Sequence, residues 1–189
     1  ANGDVEGAEV LVRWQHPEEG LLPPARFIPF FEETGLIAQL DRYMWERACK
    51  ILKQWQDTES GVWYQLLQYD DSFVGKCGTK NYLEASASCM FTYSYLKGLR
   101  LGLLDESYRP VAEKAYNGVI KTFVTENEDK TLNLNWSCRS AGLGPKKSPQ
   151  RDGSASYYLC GSDVTIVSNE GKSIGPFIMA SLEWELTKK

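Results

Sequence analysis

Histidine is nearly absent from this sequence: His16 is the only one among 189 residues. A Ser/His/Asp triad or a histidine-rich metal site could therefore be built only with His16 as a member. Any acid–base chemistry has to rest on carboxylates.

The chain also lacks an excess of positive charge and a long apolar run, and we expect no secretory leader. Its formal net charge is −4 with both signs interspersed, so we expect no nucleic-acid partner. No apolar run approaches the roughly 18 residues of a membrane span, so we expect no membrane partner. The opening ANGDVEGAEV has neither the charged head nor the apolar stretch of a signal peptide. These absences favour a cytoplasmic location.

The cysteines show no metal-binding spacing. There are five, widely separated and without a CxxC pair: Cys49, Cys77, Cys89, Cys138 and Cys160. An odd number without close pairs predicts reduced thiols and argues against a zinc site or a disulfide framework. No cofactor is expected.

Apolar or small residues occupy nearly every position from Leu83 to Leu96, so the stretch from Asn81 to Gly102 predicts a central helix covered on most sides by other helices. Asn81 and Ser86 are candidates for capping it. A second helix is predicted over residues 107–125, and the short link makes the two an antiparallel hairpin. A final helix is expected to begin at Pro176.

The N-terminal segment has a different pattern. Residues 8–14 alternate as a strand that places Glu9 and Arg13 on one face. These two charges either meet a ligand, a metal or each other, or they form a solvent-facing salt bridge on an edge strand.

A loop follows this strand, and Pro24 is placed to open a short helix. Pro29 is expected to interrupt that helix. Apolar residues then recur at three and four positions from Ile37 to Trp55, which predicts a long amphipathic helix.

Residues 5–56 resemble the start of an EAL domain, the barrel phosphodiesterase that cleaves cyclic di-GMP. The resemblance runs through GAEVLVRWQHPEEGLLPPARFIPFFEETGLIAQLDRYMWERACKILKQW. It implies that Glu9 is a metal ligand and that Arg13 contacts a nucleotide phosphate. The family's later Asn, Glu, Asp-Asp and Lys positions do not follow here. Because magnesium needs several oxygen ligands, we expect this portion to be catalytically dead.

Aromatic residues cluster on or beside the predicted loops of the remaining chain. They are Trp63, Tyr64, Trp136, Tyr157 and Tyr158. Aromatic platforms near hydrogen-bonding groups suit sugar rings, and ordinary core aromatics at helix ends are the alternative.

Residues 58–186 are similar to the C-terminal half of the unsaturated rhamnogalacturonyl hydrolases, glycoside hydrolase family 105, related to family 88. Five blocks carry the resemblance: ESGVWYQLL, NYLEASASCMFTYSYLKGLRLGLLDESYRPVAEKAY, LNLNWSCRSAGLG, RDGSASYYL and GKSIGPFIMASLEWE. The resemblance implies helical hairpins from an (α/α)6 barrel. It also implies a substrate, the unsaturated uronic acid at the end of pectin fragments, and a catalytic aspartate that protonates its enol ether.

The family's catalytic Asp and its WxRGNGW block belong to the half of the barrel that is not found here. Glu84, Asp152 and Asp163 are the carboxylates that could substitute, and no pattern marks any of them as a general acid. A place at the head of the central helix favours the ionised form of Glu84, which opposes an acid role. The catalytic residue is therefore unknown. The candidate substrate contacts are Trp63, Tyr64, Glu84, Trp136, Arg151, Asp152 and Tyr157.

The chain thus reads as a chimera: an EAL-like fragment over residues 1–56 and a partial (α/α)6 hydrolase domain over residues 57–189. The fold class is mainly α, with a short N-terminal strand and a few short loop strands. Three hypotheses remain open. The chain is a fusion whose larger part is a truncated hydrolase with weak or no activity, or a glycan-binding or hydrolytic module that gains its missing half from a partner chain, or a regulator that senses cyclic di-GMP without cleaving it. An oligosaccharide is the expected partner, and uncovered apolar helix faces predict self-association.

Overall fold

The computed structural model describes residues 12–142 and 151–188, and these are mainly helical. The helices are α1 (Pro24–Glu33), α2 (Ile37–Gln54), α3 (Ala85–Arg100), α4 (Arg109–Phe123), α5 (Tyr157–Cys160) and α6 (Gly171–Leu186). The strands are β1 (Trp14–His16), β2 (Gly20–Leu22), β3 (Val124–Glu126), β4 (Leu132–Leu134), β5 (Ser137–Cys138) and β6 (Ile166–Val167). They pair antiparallel as β1 with β2, β3 with β4 and β5 with β6. Within the described ranges, no helix is both long and apolar enough to cross a membrane.

Helix α3 is the centre of the molecule, as its all-round apolar sequence predicted. It packs against α4, with which it forms the expected hairpin, and more extensively against α6. Half of its sixteen residues are buried. Tyr95, in its third turn, is fully buried and donates a 2.5 Å hydrogen bond to the Cys49 carbonyl of α2. The hydroxyl thereby joins α2 to the core.

Helix α2 lies before residue 57 and packs in the same core as the helices that follow. Cys49 is buried in the main core cluster, with Trp45 and Leu52 packed against it. The indole N–H of Trp63 donates to the Leu52 carbonyl at 2.8 Å. The EAL-like sequence therefore supplies a helix on which the hydrolase-like part is built.

An ion pair joins α3 to α6 near the ends of both helices. Arg100 donates to both carboxylate oxygens of Glu183, at 2.5 and 2.8 Å. This contact lowers the pKa of Glu183 below its ordinary value. The outer face of α6 exposes apolar side chains at Ile178, Leu182 and Leu186.

Two prolines that were expected to mark helix boundaries lie inside helices instead. α1 continues through Pro29, and α6 begins at Gly171, five residues before Pro176. Each is the sixth residue of its helix, where proline costs one hydrogen bond close to the helix start. Packing of the rest of the helix outweighs that loss.

The N-terminal hairpin differs from the predicted strand. Residues 8–11, including Glu9, lie outside the described residues, and Val12 and Arg13 are not in a strand. The hairpin instead pairs residues 14–16 with residues 20–22, with Trp14 opposite Leu22. Apart from Trp14, these residues were expected to form a loop. Trp14 makes edge-on contacts with the rings of Phe27 and Phe31, at centroid distances of 5.9 and 6.0 Å. These contacts to α1 favour the later register.

The expectation of reduced thiols is wrong for one pair. Cys77 and Cys160 form a disulfide across 83 residues of sequence. Cys49, Cys89 and Cys138 are free and buried. The fold brings α5 against the loop before α3, which the cysteine spacing could not reveal.

Candidate functional site

Two of the predicted site residues, Glu84 and Trp136, meet at the N-terminal end of α3. Glu84 is only 1% exposed. Its carboxylate accepts hydrogen bonds from the backbone N–H groups of Ser86 (3.0 Å) and Ala87 (2.7 Å), which makes it the N-cap. Asn81 and Ser86, the predicted caps, do not take this position. The Asn81 side chain instead bonds the backbone of residues 66 and 69.

The Glu84 carboxylate also holds a distant strand. It accepts from the Cys138 N–H of β5 at 2.8 Å. A buried carboxylate is costly unless its oxygens are hydrogen-bonded, and here the backbone donors of the helix start and of β5 meet that need. Glu84 thus positions the end of β5 against α3.

Trp136 is held in a conformation that non-glycine residues rarely adopt. Its φ is +65°, and its carbonyl accepts from the Ala85 N–H at 3.0 Å. The indole is 47% exposed and lies 6.2 Å from the Tyr82 ring. Left-handed backbone at such a residue is often associated with function. Trp136 also separates β4 from β5, which pair with different strands.

The groups behind Trp136 are not nucleophiles. Burial raises the pKa of the Tyr82 hydroxyl and of the Cys138 thiol. Both therefore stay protonated at neutral pH. A thiol in this state neither attacks a sugar nor binds a metal.

The structure places Trp63 in the core, away from any ligand. It is fully buried, stacks on Tyr95 at 6.1 Å and meets the Phe91 ring edge-on at 5.3 Å. This position favours the packing interpretation over a sugar contact. Tyr64 is half-buried and pairs with Leu83 through an isolated bridge.

A pocket of about 220 Å³ lies between α5 and the loop before α3. Its lining residues are Lys76, Asp152, Ser154, Ser156, Tyr157, Cys160 and Gly161. Two of the predicted contacts, Asp152 and Tyr157, are among them. Lys76, Ser154 and Ser156 were missed. The two serines lie within or next to the RDGSASYYL block, whereas nothing in the sequence marks Lys76.

Three charged side chains beside this pocket, Arg151, Asp152 and Asp163, have partners within the protein. Arg151 forms an ion pair with Asp163, and the Tyr157 hydroxyl donates to the same carboxylate at 3.4 Å. Asp152 accepts from the Ser154 N–H at 2.9 Å. Hydrogen bonds from Ser154 lower the pKa of Asp152, so this carboxyl is ionised at neutral pH. Hydroxyl groups and charges of both signs therefore line this pocket.

The EAL-derived positions do not form a site in the described residues. Arg13 is exposed and donates to the neighbouring Val12 carbonyl at 2.9 Å. The ring nitrogen Nδ1 of His16 accepts from the N–H groups of residues 18 and 19 and so holds a turn. Within residues 12–142 and 151–188, no cluster of three or more His, Cys, Asp or Glu side chains could hold a metal ion.

Two protein families match this chain, and their matches overlap. The family model described as Glycosyl Hydrolase Family 88 matches residues 39–188, and the EAL domain model matches residues 1–67. Both include most of α2 and the loop after it. The first match covers well over half of the chain.

Known proteins divide in the same way. A Family 105 glycoside hydrolase structure from C. acetobutylicum is 42% identical with a TM-score of 0.66, covering 77% of this chain and 37% of its own. Protein Atu3128 of Agrobacterium fabrum is 34% identical over 132 residues, 68% of this chain and 53% of its own. The bifunctional diguanylate cyclase/cyclic di-GMP phosphodiesterase MucR of Pseudomonas aeruginosa is 40% identical over 62 residues, 33% of this chain and 9% of its own.

The chain thus spans about half the length of the Agrobacterium relative. It spans about a tenth of the length of the proteins that its N-terminal residues match. The helical hairpin fold of the hydrolase barrels, predicted from sequence, is confirmed for the larger part. The N-terminal part carries an EAL fragment.

Proposed function

The chain belongs to glycosyl hydrolase family 88, and we propose that these 189 residues bind unsaturated uronyl oligosaccharides without hydrolysing them. The proposed ligand is a pectin-derived fragment that ends in an unsaturated galacturonic or glucuronic acid. The observation that carries the proposal is the conformation of Trp136. Its backbone is left-handed, its indole is exposed, and its carbonyl is bonded to the first residue of α3.

The chemistry around Trp136 suits a sugar. An indole face stacks on the apolar face of a pyranose ring, while hydroxyl groups at the rim need donors and acceptors. The pocket beside α5, which Trp136 does not line, supplies the Ser154 and Ser156 hydroxyls and one cation, Lys76. An ammonium at the rim favours a ligand that carries a carboxylate, which every uronic acid does.

We expect no hydrolysis because the three candidate carboxylates serve as hydrogen-bond acceptors or ion-pair partners. Protonating an enol ether needs a carboxyl group that carries a proton near neutral pH. Glu84 accepts three backbone hydrogen bonds, Asp163 pairs with Arg151, and the pKa of Asp152 is lowered. By the family resemblance, the catalytic aspartate belongs to the half of the barrel whose place the EAL fragment takes.

Calorimetric titration with an unsaturated galacturonyl-rhamnose disaccharide tests this proposal. We expect heat of binding for the native chain and roughly two- to tenfold weaker binding for Trp136→Ala, because stacking of a ring on an aromatic side chain is worth about 0.5–1.5 kcal/mol. Trp55→Ala is the matched control, since Trp55 is also exposed but lies at the end of α2. Equal affinities for the two variants would contradict the role of Trp136.

The EAL match supports a second candidate, binding of cyclic di-GMP by the N-terminal residues. Arg13 is the phosphate contact that the resemblance implies, and its exposed guanidinium is accessible to a ligand. Titration with cyclic di-GMP would give heat that Arg13→Ala abolishes if this candidate is right. Absence of heat from the native chain would exclude it.

We also propose which partners and which compartment the protein has. We expect no nucleic-acid or membrane partner, and we expect the exposed α6 side chains Ile178, Leu182 and Leu186 to drive self-association. Sedimentation of the native chain and of Leu182→Lys compares the two states. We propose a cytoplasmic location, in which the Cys77–Cys160 disulfide would be an exception, because such bonds are rare in reducing compartments.

A further inference from the structure

The Cys77–Cys160 disulfide joins the two walls of the pocket described above. One wall is the loop of residues 68–80, which supplies Lys76. The other is α5 with the residues flanking it, which supplies Ser154, Tyr157 and Gly161. Cys160 itself lines the pocket, so the covalent link is part of its surface.

The base and the tip of this loop are held differently. At the base, the buried Asn81 side chain donates to the carbonyls of Leu66 (3.0 Å) and Tyr69 (2.7 Å). At the tip, the Lys76 N–H donates to the Ser156 hydroxyl at 2.9 Å, next to the disulfide. The base is therefore anchored in the core, whereas the tip is anchored at the pocket.

The tip of the loop also packs closely against α5 at Gly75. A Cβ atom at Gly75 would lie 2.6 Å from the Cys160 sulfur and 3.2 Å from the Leu159 Cβ. Two thiols repel each other to more than bonding distance once the disulfide is cleaved. The backbone of Gly75 lies close to the Cys160 sulfur, so once the bond is cleaved it is the exposed Cys77 side of the pair that has room to move.

The bond is accessible to a reductant in solution and protected from the chain's own thiols. Cys77 is exposed. Burial raises the pKa of Cys49 and of Cys89 to about 12, so neither is a thiolate that could exchange with the disulfide. The oxidation state of the pair thus responds to external dithiols.

We propose that Cys77–Cys160 is a redox-operated clasp for the pocket. In the oxidised chain it holds Lys76 at the pocket rim. A dithiol donates two electrons and two protons, the S–S bond breaks, Cys77 and Cys160 become thiols, and the reductant becomes a disulfide. The released tip withdraws Lys76 and weakens binding; the nature of the ligand, though not the clasp, rests on the proposed function.

Hydrogen exchange of the full-length chain, with and without dithiothreitol, tests the clasp without any ligand. We expect faster amide exchange in residues 74–80 after reduction and unchanged exchange in α4. The double variant Cys77→Ser with Cys160→Ser should exchange quickly in both conditions. Cys89→Ala, which removes a buried free thiol, should respond as the native chain does. Equal exchange of the oxidised and reduced native chain, or five titratable thiols without reductant, would overturn the clasp.

Titration of the same samples with the unsaturated galacturonyl-rhamnose disaccharide tests the consequence for the pocket. We expect affinity to fall about threefold or more on reduction, the size expected for losing one exposed charge contact. Altered exchange with unchanged affinity would overturn control of the pocket. Altered exchange with no binding in either state would support the clasp and overturn the proposed ligand, so the two failures are distinguishable.

Discussion

Replacing Glu84 by alanine should destabilise the protein by about 3 kcal/mol, because one carboxylate serves two elements. Losing an N-cap costs about 1 kcal/mol, and this cap bonds the N–H groups of Ser86 and Ala87. The Cys138 N–H, which is buried, would lose its 2.8 Å acceptor. An unsatisfied buried donor costs about 1–3 kcal/mol.

Urea unfolding followed by circular dichroism measures this loss as a lower midpoint with an unchanged slope. Glu84→Gln, which keeps one acceptor oxygen, should lie between the native chain and Glu84→Ala. Glu170→Ala is the matched control: Glu170 is the N-cap of α6, but its side chain makes no capping bond. We expect that control to change stability by less than about 0.5 kcal/mol. Equal midpoints for Glu84→Ala and Glu170→Ala would show that the hydrogen bonds of the Glu84 side chain do not stabilise the protein.

Two further predictions concern the helices around α3. Gly118→Ala in α4 should destabilise the protein by about 2 kcal/mol or more, because the new Cβ would lie 2.2 Å from the Ser60 carbonyl oxygen. Gly175→Ala in α6 should stabilise the protein by about 0.5–1 kcal/mol, because a Cβ there would meet no atom within 4 Å. Similar urea midpoints would contradict this. Glu183 has a lowered pKa owing to Arg100, so its stabilisation is present above its ordinary value of 4.5 and is lost as pH falls through the lower folded value. The midpoint difference between the native chain and Glu183→Gln should therefore shrink between neutral pH and about pH 3; a constant difference would contradict it.

The sequence predicted the helices well where apolar spacing alone decides them. The run of apolar and small residues after Asn81 predicted α3, and the regular spacing of apolar residues from Ile37 to Trp55 predicted α2. It failed where a proline is tolerated near a helix start, as at Pro29 and Pro176. Local preference there is weaker than packing of the whole helix.

The site was less predictable because its contacts are distant in sequence. Glu84 could be placed at a helix start, but its bond to the Cys138 N–H spans 54 residues. The left-handed backbone of Trp136 follows from the bond of its carbonyl to Ala85, which no local pattern encodes. Nor could cysteine spacing reveal a disulfide that depends on α5 meeting the 68–80 loop.

The most direct test of the account follows the ultraviolet absorbance of the enol ether in an unsaturated galacturonyl-rhamnose disaccharide mixed with the pure 189-residue chain. The account predicts constant absorbance at ligand concentrations where calorimetry detects binding. A steady loss of absorbance that scales with protein concentration would mean that the chain hydrolyses its ligand, and would contradict the claim that its carboxylates cannot protonate one.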